Sequence, residues 1–119
     1  MQQYKEMSIR KPSTGKMPVL DLNGKWLSDL GFTIGTLIYA NFNNSCLTLS
    51  TDETLGSNVG VLVVKGKKMR GSVRPALPID WLILKRFGYH NFDRIGLTLS
   101  PHMIQIAKIN RFTVGEYAY

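Results

Sequence analysis

The chain has 119 residues, 44% hydrophobic and 19% charged, with a net charge of +7. That balance belongs to a globular chain, long enough for one ordinary domain or for two very small units that share a core. It contains no run of about 18 apolar residues for a membrane-spanning helix. Residues 1–16 lack the apolar stretch of a secretory signal, and the single Cys46 excludes an internal disulfide and a cysteine-based zinc site. A reducing, cytoplasmic setting is expected.

The charge is lopsided. Residues 1–64 carry five bases (Lys5, Arg10, Lys11, Lys16, Lys25) and five acids, whereas residues 65–119 carry ten bases against Asp80, Asp93 and Glu116. A one-sided field of this kind raises the local concentration of a polyanion and speeds its encounter.

In chain order, residues 1–16 read as a flexible basic arm, polar and punctuated by Pro12 and Gly15. A first unit is expected over 17–50. In it, Val19 to Leu22 form a short strand and Asn23 caps a two-turn helix with an apolar face of Trp26, Leu27 and Leu30. Gly31 falls at the left-handed position after the helix. Leu37 to Phe42 and Cys46 to Leu49 then make a hairpin around Asn43-Asn44. Residues 51–58, TDETLGSN, read as a linker.

A second, basic unit is expected over 59–109. The β-branched run Val59 to Val64 is a strand leading into Lys65-Gly66-Lys67-Lys68-Met69-Arg70-Gly71, the tip of a basic hairpin, and on to Val73-Arg74-Pro75. Pro78 sits near the start of a second helix, with Asp80 in its first turn and Trp81, Leu82, Leu84 and Phe87 apolar. Gly88 closes the helix and Tyr89 follows it, as Phe32 follows Gly31. Ile95 to Leu99 and Ile104 to Ile109 form a closing hairpin around Ser100-Pro101-His102. Aligning Gly31 with Gly88 places Leu47 and Leu49 against Ile104 and Ile106 at a constant offset of 57, while the Trp-Leu pairs differ by 55. Residues 110–119 form an apolar C-terminal extension, read as an edge strand or an interface cover. The order of features repeats, so the chain is expected to be two diverged copies of one β-rich unit.

The stretch from Lys16 to Thr36, with Gly24-Lys25-Trp26-Leu27 and Gly31-Phe32-x-x-Gly35, followed by a hairpin ending Cys46-Leu47-Thr48-Leu49, resembles the SymE toxin family. The match covers about 35 residues. The second copy, from Arg74 to Ile106, is similar to the wider AbrB/MazE swapped-hairpin family: a basic strand, Leu-Pro, a short helix, Gly-aromatic, an Asp-containing turn and a hairpin. The resemblance implies a mostly β fold with two short helices, built as tandem swapped-hairpin barrel units. Such units pair as two-fold dimers, so a homodimer or an intrachain pseudo-dimer is implied. It also implies binding to nucleic acid, for SymE proteins are described as toxins acting on RNA and as nucleoid-condensing proteins. A second unit carrying nearly all the positive charge departs from a plain SymE protein.

The candidate nucleic-acid-binding residues are Lys65, Lys67, Lys68, Arg70 and Arg74, with Lys85, Arg86 and Arg94 extending the same face. Lysine and arginine neutralise phosphates and release counterions, and an arginine fork can also read base edges. Trp26 and Trp81 occupy equivalent positions on apolar helix faces and read as core residues. His90 and His102 lie in turns of the second unit. They are the catalytic candidates, because an imidazole can take the proton from a 2′-hydroxyl without a metal. No metal site, cofactor motif or Walker loop is present.

The expected function is therefore a nucleic-acid-binding protein that grips DNA through a basic hairpin face, with a regulatory, architectural or toxin–antitoxin role at the nucleoid; nothing in the residues shows catalysis. The alternative is a SymE-like, metal-independent endoribonuclease, with RNA as substrate. A third reading is a non-binding partner in a toxin–antitoxin or mobile-element assembly.

Overall fold

A computed structural model describes residues 2–9, 20–90 and 93–109, with only the backbone described at Met69 and Trp81. Nine strands and two short helices alternate along these residues: β1 Gln3–Ser8, β2 Leu20–Asn23, α1 Lys25–Asp29, β3 Leu37–Asn43, β4 Cys46–Ser50, β5 Gly60–Val63, β6 Lys65–Met69, β7 Ser72–Ile79, α2 Trp81–Arg86, β8 Arg94–Ser100 and β9 Met103–Lys108. The mostly β class with two short helices is as the sequence implies. None of the described helices is long and apolar enough to cross a membrane.

The strands make two antiparallel sheets, one of six strands in the order β1-β8-β9-β4-β3-β5 and one of three in the order β2-β7-β6. Alternation drives burial: Leu47 and Leu49, Ile95, Leu97 and Leu99, and Ile104 and Ile106 point inward, while Thr48, Thr98 and Gln105 between them do not. Leu20 and Leu22 of β2 with Leu77 and Ile79 of β7 complete a single core that includes Leu27 and Leu84 from the two helices.

The order of the large sheet reads the same from either edge, and its register has a centre. Thr48 of β4 faces Gln105 of β9, residues 57 apart in the chain, flanked by Leu47 opposite Ile106 and Leu49 opposite Ile104. The small sheet has a second centre with the same offset, where Asp21 faces Pro78 between the pairs Leu20–Ile79 and Leu22–Leu77. The hairpins β3–β4 and β8–β9 share one register under that shift, Tyr39 opposite Ser50 matching Gly96 opposite Ala107. The two halves are thus related by an internal pseudo-two-fold, an arrangement in which equivalent residues meet at the axis. At the two edges of the large sheet, β1 borders β8 and β5 borders β3.

Several local expectations change. Gln3–Ser8, expected within a flexible arm, is a strand, because β8 would otherwise be an open edge. Arg94 holds it by donating to Glu6 Oε1 at 2.9 Å and Ser8 Oγ at 3.0 Å. The next residue, Ile9, is fully buried. Residues 10–16 and the C-terminal extension 110–119 lie outside the described residues. The 51–58 segment contains a short 3-10 turn at Glu53–Leu55 and is clamped by Asn41 and Asn58. Asn41 Nδ2 donates to Gly56 O at 2.6 Å, and Asn58 Oδ1 accepts from the Phe42 amide at 2.9 Å.

The single strand expected from Val59 to Val64 ends at Val63. Val64 then leaves the large sheet: it accepts from the Gly35 amide at 2.8 Å and donates to Thr36 O at 3.0 Å, and the chain enters the small sheet as β6. Asn23 belongs to β2 and does not cap α1, which has no side-chain cap. Pro78 lies inside β7, and Asp80 is the N-cap of α2, accepting from the Leu82 amide at 2.8 Å. Pro75 and Pro78 are tolerated in this middle strand because β7 pairs with β6 up to Ala76 and with β2 from Ala76 onward.

Helix register corrects one equivalence. Phe32 N–H donates to Leu27 O at 2.8 Å, and Tyr89 N–H donates to Leu84 O at 2.9 Å. Leu27 therefore matches Leu84 at the same offset of 57, and Trp26 matches Ile83, not Trp81. Trp26 is half-buried, its Nε1 donating to Asn23 O at 2.9 Å, with the Lys5 ammonium 4.6 Å from the ring centroid. Tyr89 is buried beneath the hairpin, donating its hydroxyl to Ile106 O at 3.2 Å; burial pushes its pKa up to about 12, helped by Cys46 and Asp93.

Candidate nucleic-acid interface

The basic run becomes the β6–β7 hairpin. Lys65 faces Ala76, Lys67 faces Arg74, Lys68 faces Val73 and Met69 faces Ser72, leaving Arg70 and Gly71 at the tip. Gly71 supplies the positive φ of 78° that closes the turn. Lys65, Lys67, Lys68, Arg70 and Arg74 are all exposed.

Strand alternation distributes the charge. Lys65, Lys67 and Arg74 lie on the outer face of the small sheet, Lys68 lies on the opposite face beside the exposed Val73, and Arg70 is at the tip. The hairpin is basic on both faces and at its end, so its charge is not confined to the single face the sequence suggests. Beside the tip is a hollow of about 450 Å³ lined by Lys68, Arg70, Gly71, Ser72 and Val73.

Two cations facing one another in a ladder destabilise it. Lys67 and Arg74 do so here. Asp21 on the neighbouring β2 offsets part of that repulsion, with Oδ2 2.9 Å from Lys67 Nζ. Both side chains are well exposed, so this bridge contributes about 0–1 kcal/mol at most. Among the described residues, no other base of the hairpin has a carboxylate at ion-pair distance.

The remaining predicted bases lie elsewhere. Lys85 and Arg86 occupy the last turn of α2, where they complement the helix dipole. They follow the far end of β7, roughly 23 Å along that strand from the hairpin tip. Arg94 is held by Glu6 and Ser8 at the β1 edge.

The two histidines are separated. His90 precedes β8 and His102 follows it, about 20 Å apart along that strand. The His90 backbone donates to Asp93 Oδ2 at 2.7 Å, and that oxygen is 3.6 Å from Lys108 Nζ. His102 adopts φ 62° in the β8–β9 turn, donates its N–H to Leu30 O at 2.7 Å and accepts from the Thr51 amide at 3.1 Å. Its ring lies directly over Gly31: a Cβ there would be 2.5 Å from His102 Nδ1. The loop that follows α1 thus touches His102 at its start and, through Gly35 and Thr36, the base of the basic hairpin at its end.

Asp21 and Lys108 escape sequence reasoning. Each is isolated in the sequence, and only cross-strand register brings it to its partner.

The signature residues Gly24-Lys25-Trp26-Leu27 open α1, and Gly31-Phe32-x-x-Gly35 forms the loop that contacts both His102 and Val64. Two curated proteins share sequence with this chain, both named Endoribonuclease SymE. That of Salmonella paratyphi C (strain RKS4594) is 36% identical over 44 residues, covering 37% of this chain and 40% of its own. That of Salmonella choleraesuis (strain SC-B67) is 36% identical over 42 residues, covering 35% of this chain and 38% of its own. The chain is SymE-like over part of its length. The matched segment spans about two fifths of either SymE protein. No family model matches the chain, and no solved structure does.

Proposed function

We propose that this protein is a SymE-like protein that acts on RNA, holding the phosphate backbone with the β6–β7 hairpin. The observation that carries the reading is the similarity to two proteins named as endoribonucleases. The exposed bases Lys65, Lys67, Lys68, Arg70 and Arg74 support it physically. RNA replaces duplex DNA as the favoured ligand, since both relatives are named for an activity on RNA. The pseudo-two-fold register supports a further part of the reading: the two halves form, within one chain, the pair that swapped-hairpin proteins otherwise make from two.

His102 is the better acid–base candidate of the two histidines, because the loop beneath it reaches the hairpin base whereas His90 lies at the other end of β8. Imidazole would take the proton from a 2′-hydroxyl. The resulting oxygen attacks the adjacent phosphorus, and the 5′-oxygen leaves with a proton drawn from water, to which the imidazolium returns its own, giving a 2′,3′-cyclic phosphate and a 5′-hydroxyl. Cations on the hairpin would stabilise the developing charge. With chelator present, a labelled single-stranded RNA is expected to be cut. His102→Ala should slow cleavage roughly a hundredfold or more, and His90→Ala should leave it within a few-fold of wild type. Cleavage that survives His102→Ala removes that residue's role; RNA that stays intact with the wild-type protein removes the activity.

A further inference from the structure

The pseudo-two-fold makes the two ends of the large sheet comparable, and they are filled differently. At one end, the imidazole of His102 covers Gly31, after α1. Its counterpart at the other end, 57 residues earlier, is Ser45, which has the same φ of 62°. The counterpart of Gly31 is Gly88, with φ 84° against 94°, and above it a Cβ would meet none of the described residues within 4 Å. The small serine leaves open the space that the ring fills in the other half. The result is a hollow of about 320 Å³, lined among the described residues by Phe42, Asn44, Ser45, Phe87, Gly88, Tyr89, Ala107 and Lys108.

The lining suits a flat heteroaromatic ring. Phe42 and Phe87 stack with centroids 4.2 Å apart and planes at 19°, and both are only partly buried. Asn44 and Ser45 are exposed at the rim and offer an amide and a hydroxyl to a ring edge. Lys108 Nζ donates to Gly88 O at 2.9 Å and so holds the floor. The Arg86 guanidinium lies 5.2 Å from the Phe87 centroid, placing a cation beside the stack.

We infer that this hollow seats an unpaired nucleobase of single-stranded RNA, with Arg86 available to the attached phosphate. Aromatic stacking is how proteins hold unpaired bases, and one stacked base is worth about a tenfold gain in affinity. The inference rests on the RNA reading for its substrate, and it adds a base-binding site remote from the basic hairpin. It also gives Arg86 a ligand-binding role that does not require proximity to Lys67 or Arg74.

The test is a titration of the isotope-labelled full chain with adenosine monophosphate, reading the backbone amide resonances of Ser45, Gly88 and Lys108. Saturable shifts are expected at these amides, with ribose 5-phosphate producing none. Ser45→His, which installs the residue found at the equivalent position and suits the same φ, should abolish the shifts. An absence of shifts at millimolar nucleotide, equal shifts with ribose 5-phosphate, or shifts that persist in Ser45→His would each overturn the site. A second measurement compares a short RNA with the same oligonucleotide made fully abasic: Ser45→His should weaken the intact strand about tenfold and leave the abasic strand unchanged. Because the mononucleotide titration does not depend on the hairpin, its failure is distinguishable from a failure of RNA binding as a whole.

Discussion

Replacing Lys67, Lys68, Arg70 and Arg74 together with glutamine is expected to lower affinity for single-stranded RNA a few hundredfold near 0.1 M salt. Each phosphate contact on a single strand contributes about 0.7 to the slope of log affinity against log salt, so four lost contacts flatten that slope by roughly 3. The change should leave folding almost untouched. All four side chains are exposed, the Lys67–Asp21 bridge contributes little, and the Lys67–Arg74 repulsion disappears with it. Binding measured at several salt concentrations, beside a urea unfolding curve, checks both parts. Undiminished affinity with an unchanged slope would move the interface off the hairpin.

Gly31→Ala should be among the most destabilising single changes outside the core, and Gly88→Ala should be milder. Both glycines hold positive φ, 94° and 84°, which costs a residue with a Cβ about 1–2 kcal/mol. At Gly31 the new methyl would also sit 2.5 and 2.6 Å from atoms of the His102 ring, which must move, whereas at Gly88 it meets none of the described residues. The expected costs are about 2–4 kcal/mol for Gly31→Ala and about 1–2 kcal/mol for Gly88→Ala. The double change Gly31→Ala with His102→Ala should recover most of the difference, since only the contact between the two is being relieved. Equal costs at the two glycines would mean that His102 does not pack over Gly31.

The parts of this fold legible in the sequence are those written in local pattern. Leu47-Thr48-Leu49 and Ile104-Gln105-Ile106 alternate with the period of a strand, and Gly31 and Gly88 mark the residue after each helix. The spacing of 57 between the hairpins is also visible there, and the register shows that it runs through the axis of the molecule. Where tertiary pairing decides, the sequence is silent or misleading. β1, QYKEMS, is polar and mostly exposed, and it is a strand because β8 offers an edge. The β-branched run ends its strand at Val63, and the chain leaves the large sheet at Val64 because Gly35 and Thr36 claim that residue's backbone. The shared Trp-Leu pairs suggest a helix alignment that the bonds from Phe32 and Tyr89 correct by two residues.

The site divides in the same way. Five bases within ten residues stand out as a cluster in the sequence alone, and the hairpin keeps them together. Lys85, Arg86 and Arg94 group with them by charge alone. The length of β7 and the Glu6–Arg94 pair separate them. Asp21 beside Lys67, and the unfilled counterpart of the His102 contact, depend on which strands meet across the pseudo-two-fold. Charge run and composition carry no information about that.

A ligand preference for RNA over DNA can be read from a single comparison. Wild-type protein is titrated against single-stranded RNA, single-stranded DNA and duplex DNA of equal length over a range of salt, with RNA integrity followed in the same samples. The RNA reading predicts that RNA binds most tightly at every salt concentration and is cut as the incubation proceeds. Duplex DNA bound more tightly than RNA, with the RNA intact throughout, would contradict it.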